Sequence, residues 1–180
     1  GSDGTIMSGE WSSEYLNEGT MRLADGSEYS GKFGGQGMFA FGSLLSVNGD
    51  HYTGRFVDNQ YSGKGILAKA DGSVYVGGFS DGKFSGYGVL KEPNQSIYSG
   101  QFLNGLPDGE GMQSDVSGVV YTGSWKAGEK HGMGTLDFGD GTNYTGEFIS
   151  GLANSGLYDW GDGIVTDSYQ DENGEWQDRE

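Results

Sequence analysis

The chain has 180 residues, 37 of them glycine, and a formal net charge of −16 from 26 acidic and 10 basic side chains. Such acidity repels phosphate surfaces and argues against both a nucleic-acid stripe and a polybasic membrane patch. Cysteine is absent, which excludes disulfides, thiolate zinc sites and cysteine nucleophiles, and aromatics at 13% set the chain apart from a disordered composition.

In chain order, Gly1 and Ser2 read as the remnant of an expression tag, with residues 1–6 as tag and leader. A degenerate unit then runs from Met7 to Glu28, with Trp11 at an aromatic position and Asp25-Gly26 as a turn. Regularity sets in at Tyr29. Tyr52, Tyr75, Tyr98, Tyr121 and Tyr144 follow at a spacing of 23 residues. Counting each tyrosine as position 0, position 2 is Gly31, Gly54, Gly77, Gly100, Gly123 and Gly146. Position 4 is Phe33, Phe56, Phe79, Phe102, Trp125 and Phe148. Position 11 holds Gly63, Gly86, Gly109 and Gly132, and position 13 holds Gly42, Gly65, Gly88, Gly111 and Gly134. Position 15 is Leu44, Leu67, Leu90, Gln113 and Leu136. Asn48-Gly49, Asp71-Gly72, Ser117-Gly118 and Asp140-Gly141 close units at positions 19 and 20. The unit from Tyr144 is one residue short and regains register at Asp162-Gly163. The expected organisation is seven units over 7–166, starting near 7, 29, 52, 75, 98, 121 and 144. An acidic capping hairpin or tail follows over 167–180, turning at Asn173-Gly174.

Alternation places positions 0, 2 and 4 on one face of a strand. Asp81-Gly82 and Asn104-Gly105 then predict two-residue hairpin turns, in which both central residues take positive φ. Such a turn pairs position 0 with 13, 2 with 11 and 4 with 9, so Tyr75 should face Gly88 and Gly77 should face Gly86. An odd period needs an odd second loop to keep the tyrosines on one face. A three-residue loop over positions 18 to 20 meets this and sets Leu67 against Tyr75 and Leu136 against Tyr144. The expected fold is all-β, a single-layer elongated antiparallel sheet of stacked β-hairpins. Its structural stripe is Tyr29, Phe33, Tyr52, Phe56, Tyr75, Phe79, Tyr98, Phe102, Tyr121, Trp125, Tyr144 and Phe148. Pro93-Asn94-Gln95 replaces the Asp-Gly turn and predicts an irregular connection there. Position 7 is glycine in most units but Gln36 and Asn59 in two.

Tyr-x-Gly-x-Phe/Trp, then Gly-x-Gly-x-Leu and Asp-Gly, resembles the MORN (membrane occupation and recognition nexus) repeat. The resemblance implies a hairpin solenoid and a non-catalytic protein-interaction or scaffolding role. It also implies lipid association, which the charge of −16 opposes. On the face opposite the stripe, Phe41, Ile66, Tyr87, Val89, Met112, Met133 and Leu157 are expected to form an apolar patch that binds a protein partner or a second copy. Glycan binding is the alternative, since "NGEW" near the end is similar to cell-wall-binding repeats. No enzyme, cofactor or metal is expected. His51 and His131 occupy unrelated repeat positions, no phosphate-loop lysine follows the glycines, and "DENGEW" lacks the spacing of a calcium loop. The acidity suits a surface domain of a bacterial protein, and a cytoplasmic protein almost equally.

Overall fold

The computed structural model describes residues 4–12, 15–34 and 37–179. Gly1, Ser2 and Gln36 lie outside the described residues. The chain forms two compact units, Gly1–Pro93 and Asn94–Glu180. Among the described residues there is no helix. The first unit holds β1 (Ile6–Ser12), β2 (Tyr15–Arg22), β3 (Glu28–Gly34), β4 (Gly37–Leu45), β5 (His51–Val57), β6 (Gln60–Ala68), β7 (Val74–Ser80) and β8 (Lys83–Lys91). The second holds β9 (Ile97–Leu103), β10 (Leu106–Ser114), β11 (Val120–Lys126), β12 (Glu129–Asp137), β13 (Asn143–Ile149), β14 (Leu152–Asp159), β15 (Val165–Gln170) and β16 (Trp176–Asp178). Within each unit every strand pairs antiparallel with the next in sequence. The architecture is therefore the expected all-β, open antiparallel stack of hairpins.

Two turn types alternate. Asp81 and Gly82 take φ of 51° and 75° between the paired ends Ser80 and Lys83. Asn104-Gly105, Ala127-Gly128 and Ser150-Gly151 do the same. Positive φ at both positions matches the twist of the flanking strands, which is why such turns close hairpins. The second type is a three-residue loop. Lys69 N–H donates to Ser73 O at 2.8 Å, Gly72 N–H donates to Lys69 O at 3.0 Å, and Gly72 sits at φ 93°. The odd loop restores parity, and Leu67 faces Tyr75 as Leu136 faces Tyr144. At Pro93-Asn94-Gln95 the irregularity lies in the residue: Gln95 takes a left-handed φ of 71° where other loops have glycine.

The register inside each hairpin differs from the sequence expectation. Tyr75 faces Leu90 and Gly77 faces Gly88, while Phe79 faces Phe84 as predicted. Gly78 of β7 thus stands against Ser85, Gly86 and Tyr87 of β8. The cause is a β-bulge at Gly86, whose φ of 68° lets extra residues loop out while the strand continues. Position 11 is glycine for this reason and not to seat a ring. In the unit from Tyr29, Ala40 holds the bulge at φ 65°. In the unit from Tyr144 the shift is one residue smaller, so Tyr144 faces Tyr158, which accounts for its shortness. Trp11, placed by sequence with the ring column, is exposed on β1, all of whose residues face solvent.

Candidate interaction surface

The inner face sets the scaffold. Each tyrosine ring lies flat across a glycine–glycine pair. A Cβ on Gly88 would stand 2.4 Å from the Tyr75 hydroxyl oxygen, and one on Gly134 would stand 2.4 Å from that of Tyr121. The Tyr75 hydroxyl donates to Gly78 O at 2.9 Å, where the bulge breaks the hairpin register. Tyr52, Tyr98 and Tyr121 donate to the matching carbonyls of Arg55, Gln101 and Ser124 at the same 2.9 Å. Each ring has a buried place and a fixed polar tip, and burial pushes the phenols of Tyr29, Tyr52, Tyr75 and Tyr121 up to about 12. The aromatic four residues on packs edge-to-face, as Phe79 does on Tyr75 at 5.1 Å. Every residue of the sequence-derived stripe is buried except Phe33, which is half-buried.

Sequence reasoning left out the residue that covers each ring from the second strand. Tyr61 stacks on Tyr52 at 3.8 Å and Phe84 stacks on Tyr75 at 3.7 Å. Aromatics at position 9 were the available signal. In the second unit the equivalent residues are Pro107, Lys130 and Ala153. Lys130 lies over the Tyr121 ring at 5.1 Å, and burial lowers its ammonium pKa. Trp176 of the terminal hairpin packs on Tyr144 at 4.9 Å and on Tyr158 at 4.8 Å.

The outward face carries all seven partner candidates, each exposed, from 42% at Val89 to 69% at Tyr87. In the first unit the sheet joins Ile66 to Val89 through Val76, which pairs with both and was not among the candidates. Phe41 stands opposite Arg55. Toward β1 the same row becomes hydroxyl: Thr53, Ser43, Ser30, Thr20 and Ser8. A depression of ≈ 370 Å³ lies over this part, with Ile6 and Leu45 among its walls. In the second unit Met112 and Leu157 do not meet. Thr122, Thr135 and Thr145 stand between them, with Thr135 and Thr145 hydroxyls 3.0 Å apart. Met133 faces Glu147. The expected continuous apolar patch is thus broken by hydroxyl residues. The three-residue loop sets Met112 opposite Thr122 of the next hairpin, and the bulge sets Thr122 opposite Thr135.

His51 bonds to Ser43 Oγ through Nε2 at 2.6 Å, and His131 is half-buried on β12. Among the described residues no three His, Asp or Glu side chains converge as a metal site, and no helix is long and apolar enough to cross a membrane.

The MORN repeat model matches residues 52–74, 75–96, 98–120, 121–143 and 144–165, more than half of the chain. The chain belongs to the MORN repeat family. The hairpins from Met7 and Tyr29 fall outside the matched ranges. No curated protein matches the sequence. Among solved structures, it is similar to the SAS-4 TCP domain of Drosophila melanogaster, recorded in complex with a proline-rich motif of Ana2. The TM-score is 0.52 at 12% identity, covering 83% of this chain and 82% of that one. It is also similar to the TCP10 domain of Danio rerio CPAP, with a TM-score of 0.53 at 16% identity, covering 94% of this chain and 81% of the other. At these identities the likeness is one of fold.

Proposed function

We propose that this chain is a non-catalytic protein-interaction module that holds a polypeptide partner against its outward face. The observation that carries the reading is the exposed row Ile66–Val76–Val89, with Tyr87 beside it, on a face whose same row turns to hydroxyls toward β1. Exposed apolar side chains that touch across strands form a surface where burial against a partner releases water. The fly TCP domain, of similar fold, is recorded with a peptide, which supports the use of such a sheet as a peptide platform. The repeat organisation fits the same reading: seven hairpin units over 7–166 as the platform, and 167–180 as a cap whose Trp176 closes the tyrosine stripe.

The test is a comparative capture from fractionated cells. The bait is the chain beside a variant carrying Tyr87→Asp, Met112→Asp and Met133→Asp. All three side chains are exposed, so both baits should melt at the same temperature. The expected result is a protein retained by the parent and lost with the variant. Identical capture by both, or retention of polysaccharide alone, would sink the proposal.

A further inference from the structure

The outward faces of the two units carry opposite charge. Strands β5 to β8 contain no carboxylate. Their register places Arg55, Lys64, Lys83 and Lys91 on the outward face, with His51 at one end, all exposed. The carboxylates of this stretch, Asp58, Asp71 and Asp81, are in the turns. Apolar side chains are interspersed: Ile66, Val76, Tyr87 and Val89.

Unit two reverses the sign. The register places Glu110, Asp137, Glu147, Asp159 and Asp167 on its outward face, among Met112, Met133 and Leu157. The cations there are few and engaged locally: Lys126 stands opposite Glu129, and the Arg179 guanidinium donates to Asn154 O at 2.6 Å and lies over the Tyr169 ring. The division exceeds what composition requires. Residues 1–93 hold 7 basic and 11 acidic side chains, and residues 94–180 hold 3 and 15, giving 7 − 11 = −4 and 3 − 15 = −12. A unit that is acidic overall nevertheless presents a basic face over β5–β8, because among the described residues its carboxylates lie in loops and on β1–β3.

We propose that the basic apolar face of β5–β8 docks on the acidic apolar face of β10–β15 in a second copy of the chain. Each chain holds both halves of a complementary surface, and charge complementarity fixes which face meets which. Apolar residues at each face supply the burial, and flanking opposite charges set the pairing and suppress like-face contacts. Two chains at −16 repel as wholes, so only a contact that matches these faces brings them together. The inference rests on the outward face being the interaction surface, and it names one occupant for it.

Sedimentation velocity over a concentration series at about 0.05 M salt, where screening is weak, reads the association. Two charge-reversed chains are compared with the parent. One carries Arg55→Glu, Lys64→Glu and Lys91→Glu; the other carries Glu110→Lys, Asp137→Lys and Glu147→Lys. In the first, both faces are acidic; in the second, both are basic. The parent should associate, and each variant alone should weaken association by about tenfold or more. An equal mixture of the two should restore it. The milder set Arg55→Gln, Lys64→Gln and Lys91→Gln should weaken it in the same direction, and covers the case in which a reversed chain does not fold. A parent that stays monomeric overturns the proposal, as do variants that associate like the parent or a folded mixture that does not recombine. A monomeric parent that still retains a foreign protein in the capture experiment overturns self-association alone and leaves the interaction module standing.

Discussion

The two units run the same hairpin on different core chemistry. In the first, aromatic partners cover Tyr52 and Tyr75, Tyr61 on the one and Phe84 on the other, while Met38 holds the equivalent place in the hairpin from Tyr29. In the second, the covering residues are Pro107, Lys130 and Ala153, and a terminal tryptophan supplies the missing ring at Tyr144. Yet the tyrosine seat and its hydroxyl bond are the same in both, and so is the bulge apart from the shorter one in the hairpin from Tyr144. The tyrosine with its glycine pair is therefore the invariant joint of the repeat, and the covering residue is a variable filling. That separation leaves the second strand of each hairpin free to differ between units without disturbing the stack.

The largest expected effect comes from the joint itself. Gly88→Ala and Gly134→Ala each push a methyl group to 2.4 Å from a buried tyrosine hydroxyl oxygen. The ring cannot slide, since its hydroxyl is tied to the backbone of its own strand. Each substitution should cost about 3 kcal/mol, the upper part of the range for overpacked cores, measured by urea unfolding. Equal losses in the two units would establish the joint as common; a loss confined to one would break the comparison.

A smaller, unequal effect is expected at the covering position. Phe84→Ala removes a stacked ring from Tyr75 and should cost about 2 kcal/mol, less than a fully buried phenylalanine because Phe84 is half-buried. Lys130→Ala removes a cation from the Tyr121 ring and should cost under about 1 kcal/mol. Unfolding of both variants by urea, followed by tyrosine and tryptophan fluorescence, reads the difference. Similar losses would mean that the filling is not the variable part.

The smallest effect concerns the bulge. Ala40 occupies at φ 65° a place that glycine holds at Gly63, Gly86, Gly109 and Gly132. Ala40→Gly should stabilise the first unit by about 0.5–1 kcal/mol by relieving a left-handed residue with a side chain. The reverse change, Gly86→Ala, should cost about 1 kcal/mol. A Cβ there has nothing within 4 Å, so the loss is conformational and not steric. Thermal melts of the two variants should shift in opposite directions.

The amino-acid sequence by itself determined the period, the inner ring stripe and both turn types. Each follows from local rules: glycine or asparagine where φ must be positive, alternation along a strand, and an odd loop to restore parity over an odd period. It did not disclose the register beyond the bulge. Inserting two residues at Gly86 leaves the in–out alternation of β8 unchanged, so the pattern of apolar and polar residues reads the same with the bulge or without it. Only pairing across strands decides between Tyr75 facing Gly88 and Tyr75 facing Leu90. That choice also decided the surface. It set Val76 between Ile66 and Val89, and Thr122, Thr135 and Thr145 between Met112 and Leu157. The sorting of charge between the outward faces likewise needed the tertiary structure. The turns at Asp71 and Asp81 were legible in the sequence, but only the pairing across strands brings Arg55, Lys64, Lys83 and Lys91 together on one face of β5–β8.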